Sequence, residues 1–279
     1  MRIARVFPRR TKATPCDELA FVGMPPMLFP PHVDKVHVSV TFTWDIPLAK
    51  VLAKEWEQVA PVEIGGPAMG TVGDDFTPGM YLKPGMVITS RGCPVCCDHC
   101  LAWRRDGNRA RELPIRDGWN VLDDNLLRCS DAHVRAVFDM LERQNHRPLF
   151  TGGLEAKALK DWHIERLAKL LPEGMFFAYD DAADWEPLVN AGKRLLANGF
   201  KRKHPLQCYV LIGQEGDTFE AAEKRLRDTW DAGFLPMAML FQGPGEKKSV
   251  DERWRSFQNV WANKWRTLSK LKGPSHDPR

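Results

Sequence analysis

Short apolar runs alternate with longer amphipathic stretches along this chain. Residues 36–43 (Val-His-Val-Ser-Val-Thr-Phe-Thr) are rich in β-branched side chains and predict a strand. Val62, Glu63 and Ile64 predict another, closed by Gly65, Gly66 and Pro67. Between them Leu48, Val51, Leu52 and Trp56 recur near helical spacing, and Pro47 stands where a first helical turn accepts proline. Strand, helix and strand predict a short Rossmann-like βαβ segment. The Gly- and Pro-rich residues 65–80 predict a linker.

The alternation continues from residue 86. Strands are predicted at 87–89, 120–122, 148–151, 175–179, 208–212 and 234–241. A helix over 130–144 carries Val134, Val137, Phe138 and Leu141 on one face, with Ser130 or Asp131 as its cap. Others run through Leu159, Ile164, Leu167 and Leu171, over 188–198 with Gly199 as a stop, and over 218–231. Strands separated by helices of this length mean a parallel sheet with right-handed crossovers. Six such strands suit a partial (β/α)6 barrel better than an eight-fold one. The expected fold is α/β, with a truncated Rossmann-like segment over 1–80, the barrel over 81–245 and an amphipathic helix and tail over 246–279. A loop is expected over 243–248. In the tail Trp254, Phe257, Trp261 and Trp265 fall on one face of a single helix, opposite Arg and Lys. That face reads as docked on the barrel, with a nucleic-acid or partner surface as the alternative.

Composition narrows the class. The 279 residues are 43% hydrophobic and 27% charged, which excludes collagen-like, coiled-coil and wholly disordered chains. A net charge of +4 is too slight to imply a nucleic-acid partner. The start, Met-Arg-Ile-Ala-Arg, lacks the apolar stretch of a signal peptide. The apolar run over 234–241 falls well short of the roughly 20 residues a membrane span needs. A cytoplasmic protein with no membrane partner is expected.

The seven cysteines change the picture most. Their number is odd, and Cys93, Cys96, Cys97 and Cys100 crowd together, which points to metal or redox chemistry rather than a secreted disulfide framework. Cys93-x3-Cys97-x2-Cys100 offers three thiolates to a [4Fe–4S] cube and leaves the fourth iron without a protein ligand. An open position on a metal can bind and polarise a small molecule. Cys93-x2-Cys96 and Cys97-x2-Cys100 also permit a zinc reading, although zinc pairs are normally separated by a dozen residues or more. Cys16, Cys129 and Cys208 read as ordinary buried thiols.

The three-cysteine motif, on the loop after the first predicted barrel strand, resembles the signature of the radical S-adenosylmethionine (SAM) superfamily. The run Thr89-Ser-Arg-Gly-Cys-Pro94 is similar to the subset that includes cobalamin-dependent radical SAM enzymes and methylthiotransferases. The resemblance implies Cys93, Cys97 and Cys100 as cluster ligands, Cys96 as a bystander, and SAM chelating the open iron. It implies reductive cleavage of SAM to methionine and a 5′-deoxyadenosyl radical that abstracts hydrogen from a substrate. A flavodoxin- or ferredoxin-like reductant is the partner it implies. The cobalt-ligating Asp-x-His-x-x-Gly pattern is not matched, since Asp131-Ala-His133 is followed by Val-Arg-Ala, so cobalamin is not expected.

Candidate SAM contacts follow the strand ends. Acidic groups at the carboxyl end of a barrel strand point into the site, and Asp123, Asp124 and Asn125 resemble the family's amino-group contact; a capping turn is the other reading. Gly152 and Gly153 allow close approach of a ligand, Glu155 offers a second amino-group contact and Lys157 a partner for a carboxylate. Asp180 suits a ribose hydroxyl, with Asp181 or Asp184 read as helix caps. Ile212 and Gly213 weakly resemble the family's adenine contact, and His99 stands where the family commonly stacks an aromatic on adenine. No catalytic acid or base is assigned. The rivals are a zinc-stabilised nucleic-acid-binding module, a nucleic-acid modification resembling methylthiolation, and a cluster-binding relative without turnover.

Overall fold

In the computed structural model, which describes residues 1–70, 76–202, 204–242 and 251–271, the chain forms two units. The first contains Met1–Asp124 and Asp131–Gln144. It begins with four parallel strands, β1 (Ile3–Phe7), β2 (Ala20–Val22), β3 (Lys35–Ser39) and β4 (Val62–Gly65), in the order β2-β1-β3-β4. Ala4, Val6, Val36 and Val38 are fully buried, as expected of parallel strands covered on both faces.

The predicted strand over 36–43 stops at Ser39, because Thr43–Asp45 tighten into a 3-10 turn that leads into helix α1 (Ile46–Trp56). Pro47 lies in its first turn, as expected. The buried face is Ala49, Leu52, Ala53 and Trp56, whereas Leu48 and Val51 are exposed. The expected apolar face was therefore turned by about one position. The Trp56 indole N–H donates to the Gly23 carbonyl at 3.0 Å, which satisfies its one polar atom.

Strands β1 and β2 were not expected, so the segment is a four-stranded sheet rather than a lone βαβ unit. Arg5 disguises β1. It is buried in the strand and spends its guanidinium on Asp17 and on the Gly79 and Met80 carbonyls, both at 3.1 Å.

Further along this unit β5 (Met86–Val87) pairs in parallel with β8 (Asn120–Val121). Between them β6 (Ser90–Arg91) pairs antiparallel with β7 (Arg111–Glu112), and a short helix α2 spans Ala102–Asp106. Helix α3 (Asp131–Glu142) buries Val134, Val137, Phe138 and Leu141, the four side chains its spacing marked.

The second unit contains Asn125–Ser130 and Asn145–Gly243, with the C-terminal segment. Strands β9 (Leu149–Phe150), β10 (Gly174–Tyr179), β11 (Leu206–Ile212) and β12 (Leu235–Leu240) lie side by side in chain order, all parallel. Helices α4 (Asp161–Leu170), α5 (Trp185–Ala197) and α6 (Phe219–Asp231) connect them. Thr218 Oγ1 accepts the Ala221 N–H at 3.1 Å and caps α6. Leu171, expected on the buried face of α4, instead ends that helix in a left-handed conformation and is 62% exposed.

The tail is two helices, α7 (Glu252–Trp261) and α8 (Lys264–Leu271), rather than the single expected one. Asn263 Oδ1 accepts the N–H groups of Trp265 and Arg266, each at 3.1 Å, and so starts a new helix. Trp265 leaves the aromatic face as a result and is 77% exposed, while Trp261 is fully buried. The loop expected over 243–248 lies outside the described residues. Parallel α/β structure in both units matches the expected class. Among the described residues no helix is long and apolar enough to cross a membrane.

Candidate functional site

The β6–β7 ribbon opens and closes the stretch that carries the four clustered cysteines. Gly92 begins the loop with φ +83. A Cβ there would collide with the Arg109 carbonyl and lie 2.8 Å from that of Gly107, so only glycine fits. Cys93 N–H donates to the Gly107 carbonyl at 3.1 Å, and Cys100 N–H to the Cys97 carbonyl at 3.1 Å. Trp103, on α2, donates its indole N–H to the Cys97 carbonyl at 2.9 Å. The backbone of the loop is thus tied on both flanks.

Cys93, Cys97 and Cys100 are all half-buried, and none is in a disulfide. Burial pushes the Cys100 thiol up from its ordinary pKa, and the neighbouring Cys93 and Asp124 charges add to the shift. Cys96 has φ 56 and turns its Sγ toward the Cys93 carbonyl, 3.7 Å away.

Two adjacent carboxylates after β8 grip the residues that lead into this loop. Asp123 is buried and accepts the Thr89 N–H at 2.6 Å, the Thr89 hydroxyl at 2.6 Å and the Ser90 hydroxyl at 2.8 Å. Burial raises its pKa, against the pull of those hydrogen bonds. Its oxygens are committed inside the protein, where the sequence suggested a ligand contact. Asp124 accepts the Gly92 N–H at 2.8 Å and lies 3.5 Å from both Arg91 and Arg105. Burial raises its pKa as well, opposed by the Gly92 amide and the two guanidinium groups. His133, on α3, brings Nε2 to 3.3 Å from the Thr89 hydroxyl. Sequence reasoning missed Trp103, whose partner is the nearby Cys97 carbonyl, and Thr89, Ser90, Arg91, Arg105 and His133, whose roles depend on partners distant in the chain. His99 lies half-buried on the loop between Cys97 and Cys100.

The other expected contacts belong to the second unit, and most lie at or just after the carboxyl ends of its strands. Asn125 and Glu155 meet there, with Asn125 Nδ2 donating to Glu155 Oε2 at 2.8 Å; Arg128 holds both oxygens of the same carboxylate. Gly153 has φ +101, and a Cβ there would meet only the Phe176 carbonyl, at 3.9 Å. Backbone conformation rather than close approach is what asks for glycine at that position. Gly152 and Lys157 are exposed. Asp180 accepts the Leu211 N–H at 3.1 Å. Asp181 caps the turn that follows by accepting the Ala183 N–H at 2.8 Å, and Asp184 accepts the N–H groups of Asp180 and Asp181. Ile212 is fully buried, and Gly213 N–H donates to Asp217, which Arg225 clasps at 2.8 and 3.1 Å. Of the cysteines outside the loop, Cys129 and Cys208 are buried as expected, but Cys16 is exposed.

Among the described residues no three His, Cys, Asp or Glu side chains are arranged to hold one metal ion. A [4Fe–4S] cube takes each thiolate on a different iron and does not require three donors around one ion. Three soft, half-buried thiols on one tied loop fit that donor requirement. The chain matches no family model and no curated protein.

Proposed function

We propose that this chain is a radical SAM enzyme whose [4Fe–4S] cluster is held by Cys93, Cys97 and Cys100. The observation that carries the proposal is the Cys93-x3-Cys97-x2-Cys100 spacing on a single loop, reached from the parallel strand β5 through the short strand β6. A cluster held there would supply one-electron reductive cleavage of SAM to methionine and a 5′-deoxyadenosyl radical, which would abstract hydrogen from substrate. The reading takes β5, β8, β9, β10, β11 and β12 as the staves of a partial (β/α)6 barrel.

The residues of the first unit have definite tasks under this reading. The three thiols bind, and Gly92 lets the backbone turn into the loop without a clash. Asp124 fixes that turn through the Gly92 amide, and Asp123 fixes Thr89 and Ser90 ahead of it. The Trp103 indole holds the middle of the loop through the Cys97 carbonyl. Arg91 and Arg105 place positive charge beside Asp124, where it offsets part of the negative charge that bound thiolates bring. The electron comes from a flavodoxin- or ferredoxin-like protein in the cytoplasm.

The test is anaerobic reconstitution with iron and sulfide, followed by SAM and dithionite. 5′-Deoxyadenosine is expected by chromatography, with loss of both bound iron and SAM cleavage in Cys97→Ala. No 5′-deoxyadenosine, together with unchanged iron content in Cys97→Ala, overturns the proposal. Deuterium transfer from labelled candidate substrates into 5′-deoxyadenosine then identifies the substrate.

A further inference from the structure

The strand order β2-β1-β3-β4 puts β2 on one side of β1 and β3 on the other. The loops that leave the carboxyl ends of β1 and β3 therefore diverge between those two strands. In open parallel sheets such a switch point forms the crevice where ligands bind. Here it holds a cavity of about 280 Å³, near the lower end of the size range of small-molecule sites. Phe7, Arg9, Lys12 and Thr14 line it from the β1 side, and Ser39 and Phe42 from the β3 side. None of these residues is part of the cysteine loop, and the proposed chemistry does not use them.

Charge, hydroxyl groups and ring faces together define what would fit. Asp45 is buried at the cavity wall, and Arg9 engages both of its oxygens, Nε at 2.6 Å from Oδ2. That pair adds no net charge. Lys12 is exposed and makes no ion pair among the described residues, which leaves one uncompensated cation at the rim. Thr14 and Ser39 are buried hydroxyl residues. Thr14 Oγ1 already accepts the Thr11 N–H at 2.8 Å, which fixes the loop at Lys12. Phe42 stacks on Trp44 with centroids 4.8 Å apart and planes 9° apart, so its ring is held rigidly. A cation and hydroxyls select a phosphate, and a fixed ring face selects a planar body.

We propose that this cavity binds a nucleoside monophosphate, with the phosphate at Lys12 and the base against Phe42. The proposal is independent of the cluster, and the experiment separates the two. Calorimetric titration of the full chain uses AMP, adenosine and inorganic phosphate as probes. AMP is expected to bind more tightly than either fragment. Lys12→Ala, at an exposed position, should weaken AMP binding about tenfold or more. Lys12→Arg should restore most of the affinity, and Cys97→Ala should leave it unchanged. The proposal is overturned if AMP does not bind, or if either fragment binds as tightly as AMP. It is equally overturned if Lys12→Ala leaves AMP affinity intact, or if Cys97→Ala abolishes it.

Discussion

The Gly92 N–H donates to Asp124 Oδ2 at 2.8 Å, across 32 residues of chain. This single bond fixes the point where the cysteine loop leaves the β6 strand. Gly92 has φ +83, and any side chain there meets the carbonyls of Arg109, Gly107 and Asp106. Gly92→Ala therefore combines a disfavoured backbone conformation, about 1–2 kcal/mol, with a clash against backbone that cannot rotate away. Gly107→Ala is the control. Its φ is +97, but nothing lies within 4 Å of the added methyl, so only the conformational part applies. Urea denaturation should show Gly92→Ala destabilised by more than Gly107→Ala. Iron bound after reconstitution should fall in Gly92→Ala and hold in Gly107→Ala. Equal behaviour of the two variants would show that the close approach at Gly92 has no role.

Asp123 accepts from three donors that the fold has buried, the Thr89 amide and the Thr89 and Ser90 hydroxyls. Removing the carboxylate strands those donors, at about 1–3 kcal/mol for each group left unsatisfied. Asp123→Ala is expected to lose about 3 kcal/mol or more of stability by urea denaturation. Asp123→Asn keeps one acceptor oxygen and should lose less. The amides of residues 89–92 should exchange hydrogen faster in Asp123→Ala than in wild type. If exchange in that stretch stays at the wild-type rate, Asp123 does not hold the approach to the loop.

What the sequence made legible was whatever depended on neighbours along the chain. The face of α3 followed from the spacing of Val134, Val137, Phe138 and Leu141, and the cysteine spacing is itself local. Strand β1 stayed hidden because Arg5 reads as a surface residue until Asp17 and two distant carbonyls are seen to enclose it. Helical spacing placed Trp265 beside Trp261 but could not register that Asn263 restarts the helix between them. Asp123 and Glu155 were picked out as carboxylates at strand ends. Their commitment to Thr89, Ser90, Asn125 and Arg128 depends on contacts 27 to 34 residues apart, which no periodicity records.

Glu223 ties the last helix to α6 and gives that attachment a pH dependence. Burial alone would raise its pKa. The hydrogen bonds from Lys270 on α8 and Arg227 on α6, each at 2.7 Å, outweigh burial and lower it. A carboxylate lowered by folding stabilises the protein above its unfolded pKa, about 4.3. That stabilisation is lost as pH falls through the lower folded value. At pH 7 Glu223→Gln should be less stable than wild type by about 1 kcal/mol or less, the range for partly exposed ion pairs. As pH falls toward and through the folded value the carboxylate takes up a proton in both states, and the gap between the two proteins should narrow. Urea denaturation of both proteins from pH 7 down to pH 3 measures the gap directly. Added salt should narrow it at pH 7 as well. A gap that stays constant across the pH range would mean that Glu223 contributes through packing rather than charge.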